Sequence, residues 1–198
     1  MPAPIAAVVG ALGSQGSSVV SALLASKSPF RIRALTSNAE SPAAIKLSNS
    51  DSRIEVVQAD LHSVDSLVSA FTGAAYIYAN TVFRPDVFNE KGAQGAQDTE
   101  ETQGLNIVRA VARVDQRGGS VLKHIVWSTL PDTERASGGK LVVPHLQSKL
   151  AAEKFLLDEG NGLNEKTTFL RVGMYGVNLA RAPYTPIYMV RSFFPPFL

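Results

Sequence analysis

Cysteine is absent from the 198 residues. This excludes disulfides, a thiolate nucleophile and cysteine-ligated metal centres. Histidine is scarce, with three in the chain. His62 and His124 have no partners at metal-site spacing, so both read as surface or structural residues, and no metal is expected. Charge is also sparse: Asp, Glu, Lys and Arg make up 18% of the chain, and the formal net charge is +2. No dense Lys/Arg run appears, so nothing in the charge points to a nucleic-acid or anionic-membrane surface, and neither partner is expected. No uninterrupted apolar stretch reaches the ~18 residues that a membrane span requires. The first 25 residues are apolar, yet no cation precedes Lys27 and glycines break the run, so a strand–turn–helix unit explains them better than a secretory leader. The chain reads as a cytoplasmic protein of one domain, long enough to bury roughly 70% of its unfolded surface.

What is present begins with Gly10-Ala11-Leu12-Gly13-Ser14-Gln15-Gly16, which follows the apolar run Ile5 to Val9 and opens a helical pattern. A strand that turns at glycines into a helix N-terminus offers unpaired backbone N–H groups and the positive end of a helix dipole, the requirements for holding a pyrophosphate. The first glycine permits the turn, the second lets backbone approach phosphate, and the third lets helix pack on strand. Gly10, Leu12, Gly13, Ser14, Gln15 and Gly16 are therefore candidate cofactor contacts. The spacing is G-x-x-G-x-x-G rather than the commoner G-x-G-x-x-G.

Beyond the turn the periodicity alternates. Val19, Val20, Leu23 and Leu24 share a helical face, and Phe30 to Leu35 reads as a strand. Ser41-Pro42 starts a short helix with serine as its cap. A third strand spans Ile54 to Ala59, a helix from Ser63-Val64-Asp65 stops at Gly73, and a fourth strand spans Ala74 to Tyr78. A Gly- and Gln-rich loop is expected from about Arg84 to Ala96. A helix follows from about Asp98 to Arg117 with Leu105, Val108 and Val111 inward. His124 to Ser128 is a fifth strand, Pro131 to Gly139 a loop, Pro144 to Glu159 one helix, and Thr168 to Arg171 a sixth strand. This βα alternation predicts an α/β fold with a doubly wound parallel sheet. The end of the chain, from Ala182 to Leu198, is apolar and aromatic without a clear period, so either a partner covers it or, the favoured reading, the chain is a piece of a longer protein.

In an open parallel sheet, ligands bind beyond the carboxyl ends of the strands. After strand two stand Thr36, Ser37 and Asn38, with no carboxylate to accept ribose hydroxyls. They read either as a solvated strand end or as donors to a 2′-phosphate, with Arg33 or Lys46 supplying charge. Asp60-Leu61 after strand three reads as an adenine-edge contact or a plain turn. Asn80, Thr81, Val82 and Phe83 follow strand four, and Ser128 closes strand five. His145 and Lys149 lie four residues apart on one helical face. Trp127 reads as core.

Several ordered segments carry a resemblance. The glycine turn, Arg33-Ala34-Leu35-Thr36, Gln58-Ala59-Asp60-Leu61, Gln103-Gly104-Leu105-Asn106 and His124-Ile125-Val126-Trp127-Ser128 occur in sequence. Pro144-His145-Leu146-Gln147-Ser148-Lys149 and Leu170-Arg171-Val172-Gly173-Met174-Tyr175 follow them. Together they resemble the NmrA-like branch of the atypical short-chain dehydrogenase/reductases, over nearly the whole chain. The resemblance implies a Rossmann domain binding NADP(H), or NAD in some members, followed by a smaller substrate region. Residues 1–180 would form the first, and 181–198 would begin the second. It also implies a cofactor-ribose or catalytic role for Lys149. Ser128 reads either as a contact for a substrate carbonyl or as a strand-end serine that satisfies backbone groups, and Tyr175 and Asn178, in the loop after strand six, read as pocket positions. Two departures matter. Ser37 stands where the family often has an arginine for the 2′-phosphate. His145 stands where full short-chain reductases have the proton-donating tyrosine, and imidazole can serve there as acid or base.

The function expected is NADP(H)-dependent reduction of a small or medium carbonyl or imine compound in biosynthesis. The alternatives are a non-catalytic NADP(H)-sensing regulator with a protein partner, and a biosynthetic enzyme using acid–base chemistry without net hydride transfer. A small-molecule substrate is the expected partner, with another protein or a second copy of the chain as further contacts.

Overall fold

Six short segments rich in apolar and β-branched residues form the strands of one sheet. The structure is a computed structural model and describes residues 2–173 and Tyr175. The strands are β1 (Ile5–Val9), β2 (Arg31–Thr36), β3 (Ile54–Gln58), β4 (Ala74–Ala79), β5 (His124–Thr129) and β6 (Thr167–Arg171). They are all parallel, in the order β3-β2-β1-β4-β5-β6. The order reverses between β1 and β4, so a crevice opens beyond their carboxyl ends. This is the Rossmann-like doubly wound sheet that the alternation predicted.

The helices are α1 (Ser14–Ala25), α2 (Pro42–Ser48), α3 (Val64–Phe71), α4 (Pro85–Asp115), α5 (Thr133–Ala136), α6 (Pro144–Gln147) and α7 (Leu150–Leu157). Alternate strand residues serve opposite layers, as the two-residue period requires. Val8, Ile32, Ala34 and Tyr78 face Val20 and its neighbours on α1. Ala7, Val9, Leu35 and Ile77 face α3, α4 and α7, where Phe71, Ile107, Val111 and Leu156 complete the larger core. Trp127 is fully buried there, as expected. The central strand β1 is apolar and covered on both faces, while the edge strands β3 and β6 are partly exposed.

Three local expectations are corrected. The stretch from Arg84 to Ala96 is not a loop: α4 is helical from Pro85, with proline at its start. Its loop-like glycine, Gly92 (φ 72°, ψ −175°), makes a kink inside the helix instead of ending it. The segment from Pro131 to Gly139 contains α5, one turn capped by Asp132, whose carboxylate accepts the Arg135 N–H at 3.0 Å. Pro144 to Glu159 is two helices, not one. The break falls on Ser148 and Lys149, the two residues that a carboxylate from α4 holds through their side chains. The apolar segment from Ala182 onward and Asn178 lie outside the described residues.

Candidate active site

The glycine turn shapes the first of two clefts. Gly10 adopts φ +64°, a conformation that L side chains rarely adopt, and its carbonyl accepts the Gly13 N–H at 2.9 Å. A Cβ on Gly16 would lie 2.1 Å from that same carbonyl oxygen, so no other residue fits where α1 crosses the turn. Gly13 precedes α1 with no side-chain cap, and no acidic residue lies in the helix's first turn. The first N–H groups and the positive helix end are left to a ligand.

Leu12, Ser14, Thr36, Ser37, Asp60 and Leu61 line this cleft, of about 530 Å³, and Gln15 and Asn80 complete its inner wall. Asp60 is also a turn residue, since its Oδ1 accepts the His62 N–H at 2.8 Å. His62 itself borders the cleft, with its Nε2 3.0 Å from Gln103 Nε2. Asn38 does not line the cleft: its Oδ1 accepts the Glu40 N–H, and its carbonyl accepts the Ser41 hydroxyl. Arg33 is not brought there either. Its guanidinium donates to the carbonyls of Ala70 and Thr72, both at 2.8 Å, and pairs with Glu55 at 3.2 Å. Those bonds hold it against the end of α3. Arg84 does reach the rim, where Asp86 pairs with it at 2.6 Å.

The second cleft, of about 570 Å³, adjoins the first and shares Gln15, Asn80, Val82 and Tyr175 with it. Its floor is a buried ion pair. The Lys149 ammonium donates to Glu100 at 2.5 Å, the Thr81 carbonyl at 2.7 Å and the Thr81 hydroxyl at 2.8 Å. Glu100, 3% exposed, also accepts the Thr81 hydroxyl and the Ser148 hydroxyl, each at 2.8 Å. An ammonium has three donors, and all three are used within the protein. Burial pushes the Lys149 pKa down, and the charge and hydrogen bond of Glu100 oppose that shift. A parallel arrangement stands one strand over: the Thr129 hydroxyl donates to buried Glu153 at 2.7 Å, and Arg171 pairs with the same carboxylate.

Gln15 joins the two clefts. Its Oε1 accepts the hydroxyls of Tyr78 and Ser128, the latter at 2.7 Å, and its Nε2 donates to the Tyr175 hydroxyl at 2.5 Å. Burial raises the Tyr78 pKa, with the neighbouring Ser128 hydroxyl opposing and the nearby Tyr175 adding to the rise.

Among the expected residues, Ser128, Lys149, Thr81 and Phe83 thus meet in the second cleft, while Gly10, Leu12, Gly13, Ser14, Thr36, Ser37, Asp60 and Leu61 meet in the first. His145 is the second residue of α6, next to Leu146 of the second cleft. Glu100 and Tyr78 were not anticipated. Glu100 carries a signal, because it precedes Gln103, Gly104, Ile107, Val108 and Val111 at helical spacing and so falls on the buried face of α4. Tyr78 lies inside an apolar strand and carries none. No cluster of three or more His, Asp or Glu suited to a metal occurs among the described residues. None of the described helices is long and apolar enough to cross a membrane.

Residues 4–192 match the model of the NmrA-like family. An NmrA-like family domain-containing oxidoreductase, FrzB of Cladobotryum sp., is 30% identical over 96% of this chain and 52% of its own length. A second oxidoreductase so described, himF of Aspergillus japonicus, is 31% identical over 84% of this chain and 45% of its own. The chain spans about half the length of these relatives. Among solved structures, NmrA, a negative transcriptional regulator, superposes with TM-score 0.67 at 22% identity, over 89% of this chain and 48% of NmrA. A Citrobacter triphenylmethane reductase complexed with NADP(H) superposes with TM-score 0.64 at 24% identity, over 87% of this chain and 50% of the reductase. Both confirm the fold. With the glycine turn, the strand order and the family model in agreement, the chain belongs to the NmrA-like family.

Proposed function

We propose that this chain holds NADP(H) across the two adjoining clefts and forms the cofactor-binding half of a reductase for a small or medium carbonyl or imine compound. The observation that carries this reading is the continuity of the clefts. One end offers uncapped helix N–H groups, and the other holds a buried ammonium, with Gln15, Asn80 and Tyr175 on the shared wall. The donor set fits a dinucleotide. Gly10 and Gly13 line the first cleft without a Cβ, Gly16 lets α1 pack against the turn, and Asn80 Oδ1 is buried without a partner among the described residues on that shared wall. The turn would hold the pyrophosphate, and Thr36 and Ser37 the adenosine ribose. Ser128 and Lys149 would border the nicotinamide, which supplies hydride when reduced. Several relatives are described as oxidoreductases, and the Citrobacter reductase holds NADP(H), which supports NADP as the cofactor. Residues 1–180 act as the binding domain and 181–198 begin the substrate region.

A second reading rests on Lys149. Because its three donors are satisfied internally, the chain also suits a regulator that binds NADP(H) without consuming it. Following NADPH absorbance of the whole protein, substrate region included, with a panel of a quinone, an aldehyde, a ketone and a cyclic imine separates the two. Turnover that falls in Lys149→Ala supports the reductase. NADPH that binds with no oxidation by any panel member supports the regulator. Titration with NADP and NAD tests the cofactor preference, and tighter NAD binding overturns it.

A further inference from the structure

A carbonyl reduction needs a proton for the developing alkoxide, and the second cleft limits which group can give it. Among the described residues lining that cleft, the side-chain hydroxyls are those of Thr81, Ser128, Thr129 and Tyr175, and the ammonium is that of Lys149. Thr81 donates its hydrogen to Glu100, and Thr129 donates to Glu153. Ser128 donates to Gln15 Oε1. Lys149 spends its three hydrogens on Thr81 and Glu100. Tyr175 differs, because its oxygen accepts from Gln15 Nε2 and its own hydrogen goes to no acceptor among the described residues.

The orientation of Gln15 makes this arrangement specific. Two hydroxyls, those of Tyr78 and Ser128, converge on Oε1, which turns Nε2 toward Tyr175. Tyr78 is 7% exposed and gives its hydrogen to Gln15, so it serves as an anchor rather than a donor to ligand. Burial holds its phenol protonated. Tyr175 is half-buried and lies on the wall common to both clefts, within reach of ligand and of bulk water.

We infer that Tyr175 is the proton donor of the reductase reading, a catalytic residue supplied by the loop after β6 in place of the tyrosine absent at position 145. The inference rests on that reading. The Tyr175 O–H bond breaks as its proton passes to the substrate oxygen. That oxygen takes up the electron pair of the C=O π bond while the carbon accepts hydride from a reduced nicotinamide. The carbonyl is reduced by two electrons to an alcohol and the nicotinamide is oxidised by two. The phenolate oxygen, held by the Gln15 N–H, then recovers a proton from water. A hydrogen bond donated to the phenolate stabilises it while it lasts.

The test uses the whole protein, with the substrate region that the proposed function places after residue 180, and compares wild type with Tyr175→Phe and His145→Phe. NADPH affinity is read by fluorescence titration, and kcat and KM are read on whichever member of the quinone, aldehyde, ketone and imine panel is turned over. Loss of a general acid is expected to lower kcat about 100-fold or more. In Tyr175→Phe the NADPH Kd is expected to stay within about twofold, since the ring and its packing remain. Tyr175→Phe at the wild-type kcat overturns the inference while leaving the reductase reading intact. So does a tenfold weaker NADPH Kd with unchanged kcat, which makes the hydroxyl a cofactor ligand. Loss of turnover in His145→Phe with Tyr175→Phe fully active assigns the proton to the imidazole and overturns it as well. A wild type that binds NADPH and oxidises it with no panel member overturns the reductase reading, and this inference with it.

Discussion

The two clefts are made of different materials. The first is built on backbone: a strand end, three glycines and a helix start, all within the eight residues from Val9 to Gly16. The second is side chain: a threonine, a glutamate, a serine and a lysine from separate elements, closed into one buried network. Backbone N–H groups bind an anion wherever the turn forms. A buried ion pair, by contrast, exists only when distant elements pack correctly, and it is costly when one partner is lost. The first cleft is therefore robust and generic, and the second is specific and fragile.

The largest test of that contrast removes one member of the pair. Glu100→Ala leaves the Lys149 ammonium buried beside nothing of opposite charge, and is expected to cost about 3–5 kcal/mol in urea denaturation. Pairing it with Lys149→Met removes the stranded charge and is expected to recover most of that loss. A double variant as unstable as the single one would mean that packing, not charge, sets the cost. On the other side of the comparison, Gly16→Ala forces a Cβ to within 2.1 Å of a backbone oxygen. Overpacking of this kind costs about 1–3 kcal/mol, and here α1 must shift away from Gly10. NADPH binding should be lost even at temperatures where circular dichroism shows the variant folded. Retained binding would show that the helix start is not the anion site.

A smaller effect is a pH dependence confined to the second cleft. Burial lowers the Lys149 pKa below its ordinary 10.5. Between the lowered value and 10.5 the unfolded chain holds a proton that the folded chain has released. Stability attributable to Lys149 therefore rises with pH through that window and is flat below it. Wild type minus Lys149→Met, measured by urea denaturation up to about pH 10, is expected to show this rise. A difference that falls with pH would mean that Glu100 outweighs burial.

The same division explains what the amino-acid order made legible. The sheet was readable because each strand is a short segment rich in apolar and β-branched residues between breakers, and the glycine turn because its parts are adjacent in sequence. Helix α4 was misread at its start because Gly92 and Gly95 carry loop chemistry, while the actual backbone confines the irregularity to one kinked residue. Arg33 was misplaced for a different reason. Its nearness to Thr36 in sequence suggested the phosphate end, but the pleat directs it to the carbonyls of Ala70 and Thr72 at the end of α3. Glu100 was legible in principle as a carboxylate on an apolar helical face. Its partner was not, since 49 residues separate it from Lys149.

The position of Arg33 sharpens the question of which cofactor the first cleft prefers, and leads to the smallest expected effect. With Arg33 tied to α3 and Arg84 paired with Asp86, the strand end at Thr36 and Ser37 offers hydroxyls and backbone rather than a committed cation. An arginine fork is the side chain best matched to a phosphate dianion. Ser37→Arg is therefore expected to tighten NADPH about tenfold, which is about 1.4 kcal/mol, while NADH affinity changes less than twofold. Isothermal titration of both dinucleotides reads the ratio directly. The variant leaves the glycine turn and the Lys149–Glu100 pair untouched, so equal tightening of both would point to general attraction for anions. No change in either would place the adenosine ribose away from Ser37, and would require the ligand to run along the cleft in another direction.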